Sequence, residues 1–490
     1  MLLDIRPDHL KIVQDILQKC VPEREVWAFG SRAKWLAKEY SDLDLCILGK
    51  TPLSFRTLGL LEEAFEDSDL PYKVDVVDWA TTSESFRQII ERDKVVVPKG
   101  GWGMSSGFQK TKLGKLITFA NGKSSPERFD NAKFAVFGSN GLIGKANDSN
   151  SPANSIVVGR VGSYCGAVHF SRHACWVTDN AIKATAKEDN DPSFLFYFLK
   201  HLNLNNWRSG SGQPLINQST LNAIEVCVPP SVEQKAIGGF LSSLDDRITL
   251  LRETNATLEA IAQALFKSWF VDFDPVRAKQ EGRTSEGMDE ATAALFPDSF
   301  EASELGLVPK GWRVVRLDSF VELAYGKALK AENRKAGSVP VYGSGGITGW
   351  HNQALVDQTS VIVGRKGTVG SLYWESRPFF PIDTVFYVKS RKPLTYCYLL
   401  LKTLGLDSMN TDAAVPGLNR ENVYRLLVTE PPENILAAFD DIASVLRASM
   451  DENDQQAQTL ATLRDTLLPR LISGQLRLPE AEAEIEGVTA

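Results

Sequence analysis

The feature that most restricts the fold of this chain is an internal repeat with a period of about 200 residues. Short segments recur in the same order along the two halves. The matching pairs are 136–141 (VFGSNG) with 341–346 (VYGSGG), 158–162 (VGRVG) with 363–367 (VGRKG), 214–217 (PLIN) with 416–419 (PGLN), and 229–230 with 431–432 (PP). The separation is 205 residues for the first two pairs and 202 for the last two. The second half is therefore interpreted as a diverged copy of residues 98–270.

Each copy combines a β-rich part with a long helix. The β-rich part consists of short valine- and isoleucine-rich runs that are interrupted by glycine, which is typical of strands and turns. In the helix, apolar residues follow one another at intervals of three and four, as in the seam of a coiled coil. The seam residues are Leu241, Leu244, Ile248, Leu251, Asn255, Leu258, Ala262, Leu265 and Trp269, and then Leu446, Met450, Asn453, Ala457, Leu460 and Leu467. The alternative is an ordinary amphipathic helix that packs on its own domain.

These patterns predict an α+β multidomain chain, and the 490 residues are enough for three or four domains. A small α/β domain is predicted at 1–100, and two similar α/β domains at 105–230 and 305–430. Long helices at 231–280 and 431–480 are predicted to separate them as an antiparallel coiled coil. Asn255 and Asn453 are polar residues on the seam, where such residues lower stability but can fix the register.

The charge of the chain alternates along its length. Residues 101–230 carry 13 basic and 8 acidic side chains (net +5), and residues 305–430 carry 16 and 10 (net +6), although the whole chain has a net charge of −7. A polyanion is attracted to clusters of positive charge, so the two basic units are candidate nucleic-acid binders; statistical fluctuation is the alternative. Two such units separated by paired helices would measure the spacing of a bipartite site.

Residues from about 105 to 480 resemble the specificity subunit of type I restriction–modification systems. The most specific segment is 265–276 (LFKSWFVDFDPV), and the segment 467–474 (LLPRLISG) and the repeated Val-Gly-Arg-x-Gly also fit. The resemblance implies two target-recognition domains that each read half of a split DNA sequence. It also implies helical spacers that dock methyltransferase subunits and, through them, the restriction (motor-nuclease) subunit. The specificity part would be non-catalytic and need no cofactor; residues 105–480 contain neither an Asn/Asp-Pro-Pro-Tyr/Phe motif nor a Walker loop.

Six residues of the two basic units are candidate DNA contacts. Arg160, Arg365 and Lys366 lie in glycine-flanked turns, where backbone and cation can both approach a phosphate. Gln213, Asn217 and Asn419 have side-chain amides that can form paired hydrogen bonds with adenine. The structural alternative is that the glycines only form tight turns and that the asparagines cap helices.

The first hundred residues have no counterpart in the second copy and carry a different pattern. An apolar strand runs into Gly30, Ser31 and Arg32, and a later strand carries Asp42 and Asp44 on one face because strand side chains alternate. Asp75 lies on a third strand. Paired carboxylates suit Mg²⁺, and a glycine followed by a hydroxyl suits a phosphate.

This pattern resembles the minimal nucleotidyltransferase family of the polymerase-beta superfamily, which has Gly-Ser followed by Asp-x-Asp. The resemblance implies that Asp42, Asp44 and Asp75 are catalytic and bind Mg²⁺, and that Gly30, Ser31 and Arg32 bind the nucleotide. Some family members transfer AMP to a partner. The alternatives are a solvated acidic turn or an inactive fold that is kept for binding.

Two functions from different classes follow. The first is a DNA-binding specificity subunit of a type I restriction–modification complex; the alternative is a metal-dependent nucleotidyltransferase, acting on a partner protein or RNA, with a DNA-binding targeting arm. The six cysteines form no Cys-x-x-Cys pair, which favours a reducing cytoplasm over a disulfide framework. No apolar run approaches the roughly 20 residues of a membrane span, so no membrane partner is expected.

Overall fold

The computed structural model describes residues 3–34, 37–38, 41–49, 51–97, 108–209, 214–410 and 417–489. The chain divides into two compact units: residues 1–247 with 459–490, and residues 248–458. Within the described ranges, none of the helices combines the length and the hydropathy needed to cross a membrane. The segment 98–107, whose glycines and serines predict a linker, lies outside the described residues.

The N-terminal domain is a four-stranded mixed sheet with helices on its faces. Its elements are α1 (Pro7–Cys20), β1 (Val26–Phe29), α2 (Gly30–Ala33), β2 (Leu43–Ile47), α3 (Phe55–Glu66), β3 (Val74–Asp78), α4 (Glu84–Asp93) and β4 (Val95–Val97). The sheet order is β3-β2-β1-β4; β2 and β3 are parallel, and the other pairs are antiparallel. One face carries Leu43, Leu45 and Ile47 in the main core, and the other packs Trp27 and Phe29 near α4.

In its described residues, 108–209 and 214–230, the first basic unit contains nine strands and three short α-helices. They are β5 (Gln109–Lys112), α5 (Leu113–Leu116), β6 (Ile117–Asn121), β7 (Phe134–Gly138), β8 (Gly141–Ala146), β9 (Ser155–Gly159), β10 (Val168–Ser171), β11 (Cys175–Val177), β12 (Ala181–Ala186), α6 (Pro192–His201), α7 (Gln218–Ala223) and β13 (Glu225–Val228). They form sheets of order β10-β9-β12-β6, β11-β7-β8 and β13-β5. We call this unit copy 1. The long helix α8 (Ser231–Phe270) follows it.

After α8, the chain continues with a connecting segment that copy 1 lacks and then with the second basic unit, which we call copy 2. The connecting segment contains α9 (Asp274–Gln280), α10 (Glu290–Ala294), β14 (Phe300–Ser303) and β15 (Gly306–Pro309). Copy 2 contains β16 (Arg313–Arg316), β17 (Val321–Tyr325), β18 (Val339–Gly343), β19 (Gly346–His351), β20 (Ser360–Gly364), β21 (Leu372–Glu375), β22 (Phe380–Pro381), β23 (Val385–Ser390), α11 (Leu394–Thr403), α12 (Arg420–Tyr424) and β24 (Leu427–Glu430). The helices α13 (Glu433–Ile472) and α14 (Leu478–Thr489) end the chain.

The strand pairing of copy 2 repeats that of copy 1. Its sheets have the orders β21-β20-β23-β17, β19-β18-β22 and β16-β24. Both hairpins of the three-stranded sheets shift register at the same place, between Val136 and Phe137 in copy 1 and between Val341 and Tyr342 in copy 2. Because even this irregularity is shared, the predicted duplication is present in the backbone and not only in the sequence.

The two long helices lie within the predicted ranges 231–280 and 431–480, and the predicted seam residues along them are buried or half-buried. Each spans 40 residues, and α8 ends at Phe270, before the predicted boundary at 280. Within the second unit, Asn453 Nδ2 donates to Asn255 Oδ1 (2.9 Å), and Asn255 Nδ2 donates to Met450 O (2.9 Å). Phe266, further along α8, contacts Phe439, earlier in α13. The helices therefore run antiparallel there, with the two asparagines paired on the seam.

Aromatic residues fill the core of the second unit around the end of α8. Phe270 packs edge-on against Phe439 (5.0 Å between ring centres) and Tyr396 (5.2 Å). Phe270, like Phe266, Trp269 and Phe273, belongs to the segment 265–276, whose sequence most resembled a known family, so that segment is part of a core.

All six cysteines are free thiols, and five of them are buried. Burial raises the thiol pKa of Cys46 and of Cys397 to about 11 in each case. It also raises the pKa of Cys165, Cys175 and Cys227.

Candidate functional sites

The three predicted carboxylates of the N-terminal domain lie at one edge of its sheet. Asp44 on β2 is the direct register partner of Asp75 on the parallel strand β3, and Asp42 stands two residues before Asp44. Asp44 is half-buried, and its pKa is raised by burial and then by the negative charges of Asp75 and Asp42. The fold thus brings all three charges close enough to repel one another.

Gly30 provides the space that this edge requires. Its φ of +76° lies in the left-handed region, which favours glycine. A Cβ at this position would lie 2.1 Å from Asp44 Oδ2, because β1 ends directly beside β2. Ser31, the next residue, is half-buried in the four-residue helix α2.

Arg32, predicted to bind the nucleotide, has internal contacts that the sequence did not reveal. Its side chain is buried, with Nε donating to Ser41 O (2.8 Å) and Nη1 donating to Asp4 O (2.8 Å). Its guanidinium also lies 3.8 Å from the ring centre of Tyr72. These contacts make Arg32 a structural link between the N-terminal segment and the residue that precedes Asp42.

The carboxylates of Asp42, Asp44 and Asp75 suit a divalent cation, but in the described structure they are not arranged as a complete metal site. Across the described ranges, no group of three or more His, Cys, Asp or Glu side chains is arranged to hold a metal ion. Asp75 is instead paired with Lys73 (Nζ to Oδ1, 2.6 Å). Carboxylate oxygens are the ligands that Mg²⁺ prefers, and the repulsion that raises the Asp44 pKa is what a bound cation would relieve.

In the two copies, the glycine-flanked arginines fasten one loop to another. Arg160 Nη1 donates to Asp179 O (3.4 Å), and Arg365 Nη1 donates to Asp383 O (2.9 Å). The carbonyl of Arg160 accepts from Ile216 N (3.0 Å), as that of Arg365 accepts from Leu418 N (2.8 Å). Two of the repeated segments, 158–162 with 214–217 and 363–367 with 416–419, therefore meet at one place in each copy, and a third loop, which carries Asp179 or Asp383, joins them there.

The two predicted asparagines cap helices at this place. Asn217 Oδ1 accepts from Thr220 N (2.8 Å) at the start of α7, and Asn419 Oδ1 accepts from Glu421 N (2.9 Å) at the start of α12. These contacts favour the capping alternative for both side chains. Gln213, the remaining predicted contact, lies outside the described residues.

Copy 2 has an open cleft of about 290 Å³ beside its loop junction. Three of the predicted DNA contacts line it, namely Arg365, Lys366 and Asn419. Tyr325, Arg420 and Glu421 line it as well. The prediction missed Tyr325 and Arg420, because it selected cations in glycine-flanked turns and side-chain amides, and these two residues are neither.

Comparison with known proteins assigns the two parts of the chain to two families. The family model described as "Type I restriction modification DNA specificity domain" matches residues 105–260 and again 309–443. The model described as "Polymerase beta, Nucleotidyltransferase" matches residues 11–99. The two matches of the first model fall on the two copies.

Individual relatives agree with this division. The probable protein adenylyltransferase MntA of Haemophilus influenzae is 57% identical over 95 residues, which are 19% of this chain and 83% of that protein. The type I restriction enzyme HindI specificity subunit of the same species is 27% identical over 338 residues, 55% of this chain and 72% of that protein. The crystal structure of a type I restriction–modification S subunit from M. genitalium, 20% identical, covers 76% of this chain and 97% of its own, with a TM-score of 0.51, and so shares its fold.

Proposed function

Because the chain belongs to the type I restriction–modification DNA specificity family, whose model matches more than half of its residues, we propose that it recognises a split DNA sequence. Copy 1 contacts one half of the target and copy 2 the other. The helices α8 and α13 set the number of unread base pairs between the two halves. This part performs no chemistry and requires no cofactor.

The observation that carries this proposal is the junction of three loops that both copies build with the same bonds. The junction gathers Arg160 in copy 1, and Arg365 and Lys366 in copy 2. Each copy is net basic although the chain is acidic, so positive charge is concentrated in the two units. Clustered cations on a rigid junction suit the phosphates and base edges of duplex DNA.

Selection of bound DNA tests this function directly. The purified chain, alone and with its methyltransferase subunits, is incubated with a random duplex library, and the bound molecules are sequenced. The expected result is two constant blocks separated by a fixed number of unconstrained base pairs. A single continuous block, or binding without any preferred sequence, would contradict the proposal.

The spacer helices also offer a surface for the methyltransferase subunits, which in turn would hold the restriction subunit. Leu250 and Ile261 on α8 are 52% and 49% exposed, and Ile442 and Val445 on α13 are 42% and 63% exposed. Leu250 and Ile261 are about three helical turns apart and therefore lie on one face of α8, and a continuous exposed apolar surface is typical of protein contacts. We expect L250K with I261K to abolish co-elution with the methyltransferase subunits. Leu305→Lys, at a side chain of 46% exposure between β14 and β15, is the matched control and should leave co-elution intact.

For the N-terminal domain we propose a second activity, the transfer of a nucleotidyl group to a partner protein or RNA. The group we expect to be transferred is AMP. Its support is the close likeness to a probable protein adenylyltransferase and the space that Gly30 leaves beside Asp44. Asp42, Asp44 and Asp75 would hold Mg²⁺, which when bound neutralises phosphate charge. Gly30 and Ser31 would lie along the triphosphate.

The transfer replaces one bond at the α-phosphorus of ATP by another. A hydroxyl oxygen of the acceptor bonds to the α-phosphorus of ATP, the bond from that phosphorus to the bridging oxygen breaks, and pyrophosphate leaves. Asp75 accepts the hydroxyl proton. Lys73 must then release Asp75, so its ion pair is part of the resting state.

Labelling with ATP that carries a radioactive α-phosphate tests the second activity. The full chain, Mg²⁺ and a lysate of its own cells are combined, and transfer of label to protein or RNA is measured. Asp44→Asn should abolish the transfer, whereas Asp67→Asn, at the exposed end of α3, should leave it unchanged. Transfer that survives Asp44→Asn would rule this site out, and an absence of any transfer would favour the inactive fold.

A further inference from the structure

The shared junction allows the two copies to be compared position by position. Tyr325 pairs with Phe386 at the end of β17, as Asn121 pairs with Ile182 at the end of β6. The glycines that follow, 122 and 326, both lie against a backbone carbonyl, so the equivalence is firm. By the same alignment, the residue after each capping asparagine is Gln218 in copy 1 and Arg420 in copy 2, and the residue after each junction arginine is Val161 or Lys366.

In copy 2, the three positions are Tyr325, Lys366 and Arg420, and all of them line the cleft. We call these positions the rim. The guanidinium carbons of Arg365 and Arg420 lie 5.0 Å and 4.9 Å from the ring centre of Tyr325. Such contacts hold an arginine over an aromatic face without using its hydrogen-bond donors. The Nε of Arg420 lies 3.7 Å from Oε1 of Glu421, which also lines the cleft, so this ion pair and the stacking on Tyr325 together fix the guanidinium there.

In copy 1, the equivalent positions are amides and an apolar residue. The carboxamide of Gln218 lies 2.9 Å from the side-chain oxygen of Asn121. In the orientation that satisfies both of its ends, its nitrogen donates to Phe119 O (3.2 Å) and its oxygen accepts from Asn121 N (2.9 Å). The same scaffold therefore presents an amide pair in copy 1 and a guanidinium with a lysine in copy 2.

We propose that these three positions determine which base pair each copy reads, with residues 121, 161 and 218 serving copy 1 and Tyr325, Lys366 and Arg420 serving copy 2. The proposal rests on the DNA-recognition function proposed above. Arginine forms two parallel hydrogen bonds with O6 and N7 of guanine, whereas asparagine or glutamine pairs in the same way with adenine. Copy 2 thus reads a guanine at this point of its half-site, and copy 1 reads an adenine.

The test exchanges the three residues between the copies. The full-length triple variant Tyr325→Asn, Lys366→Val, Arg420→Gln is put through the same DNA selection as the wild type. The expected result is a change from guanine to adenine at one position of one block, with the other block unchanged. Discrimination in favour of guanine should fall by roughly 10- to 100-fold. The reciprocal variant Asn121→Tyr, Val161→Lys, Gln218→Arg should change only the other block.

Matched variants separate failure of this inference from failure of the function itself. If the wild type selects no split sequence, the proposed function fails. If it selects one but the triple variant keeps the same bases, or loses affinity equally for all sequences with a weaker salt dependence, the three positions contact phosphate or nothing, and the inference fails. Arg316→Gln, an exposed partner of Asp318 in the same copy, should leave the preference unchanged. Arg420→Gln alone serves if the triple variant does not fold, and an unchanged base preference in that variant would overturn the inference.

Discussion

The two copies share their backbone bonds and differ in the side chains that those bonds present. Arg160 and Arg365 make the same contacts, and Asn217 and Asn419 cap the same helix. At the rim, by contrast, Gln218 stands where the other copy has Arg420. Residues that hold loops together are thus retained after duplication, whereas the neighbouring positions are free to diverge. Residues that are the same in both copies are therefore structural. Positions next to them at which the copies differ are candidates for contacts with DNA bases.

A second difference lies inside the copies. Copy 2 buries Glu375, which accepts hydrogen bonds from Tyr342 Oη (3.0 Å) and Arg377 Nε (2.9 Å). The strand registers place Ser171 and Phe137 of copy 1 at the positions of Glu375 and Tyr342. Copy 2 therefore has both the buried carboxylate and the hydroxyl that donates to it, and copy 1 has neither. The two residues differ together because a buried charge requires hydrogen-bond partners.

The largest effect is expected from the glycines at the strand ends, and it should be equal in the two copies. A Cβ on Gly122 would lie 2.0 Å from Thr178 O, and one on Gly326 would lie 2.2 Å from Ile382 O. Because a backbone carbonyl cannot move aside, Gly122→Ala and Gly326→Ala should each destabilise their copy by about 3 kcal/mol or more. Chemical denaturation followed by hydrogen exchange in each copy measures the loss.

Gly345→Ala is the control for this prediction, since a Cβ there meets nothing within 4 Å. A large loss in one copy and none in the other would show that the junctions are not equivalent.

The next effect should distinguish the copies by their response to acid. Burial alone would raise the pKa of Glu375, but hydrogen bonds from Arg377 outweigh it and lower the pKa below its ordinary value. A lowered carboxyl pKa adds stability that is complete above the ordinary value of 4.5 and is lost as the pH falls through the lowered one. We expect copy 2 to lose hydrogen-exchange protection through this group as the pH falls below 4.5, a contribution that copy 1 lacks.

Substitution of Glu375 should remove this difference. Glu375→Gln should cost about 2 kcal/mol at neutral pH, less than a fully buried pair because Arg377 is partly exposed, and should make copy 2 less sensitive to acid. Equal loss of protection in both copies of the wild type over the same pH range would argue against a special role of this carboxylate.

The smallest effect is expected from the capping asparagines. Asn217→Ala and Asn419→Ala each remove the acceptor at the start of a short helix and should each cost about 1 kcal/mol. Thermal unfolding measures the two losses, and Asn217→Asp and Asn419→Asp should restore most of the stability. If one cap matters several times more than the other, its asparagine has a further role.

Much of the fold could be predicted because repetition and periodicity leave strong signals. The two copies, the two helices and the seam positions of Asn255 and Asn453 follow from spacing in the sequence, whereas the hydrogen bond between these two asparagines came only from the structure. Asp44 and Asp75 lie side by side because β2 and β3 are parallel neighbours, and Asp42 precedes β2 instead of lying on it; the roles of the three acids remain predictions. The distance between the copies, the boundaries at 100 and 305, and the DNA contacts themselves remain predictions.

What the sequence could not supply were roles that depend on a contact distant along the chain. Arg32 resembled a phosphate ligand because it follows Gly-Ser, yet its partners are Asp4 and Tyr72. Tyr325 and Arg420 are almost a hundred residues apart and become neighbours only when β17 and α12 meet. No local pattern encodes such a pair, and because neither residue recurs in copy 1, the repeat gave no signal for them either.

The burial of five cysteines has a practical consequence for labelling this protein with fluorescent dyes. Five thiols are shielded and hard to ionise, so alkylating probes that require thiolate should react with them slowly. A cysteine placed at an exposed site, such as Thr257 on α8, would then accept a fluorescent dye with only Cys20 as a competitor. If Cys20 is also substituted, the dye at position 257 has no accessible thiol to compete with it. The distance from this dye to a second dye on bound DNA could then be measured in an otherwise native chain.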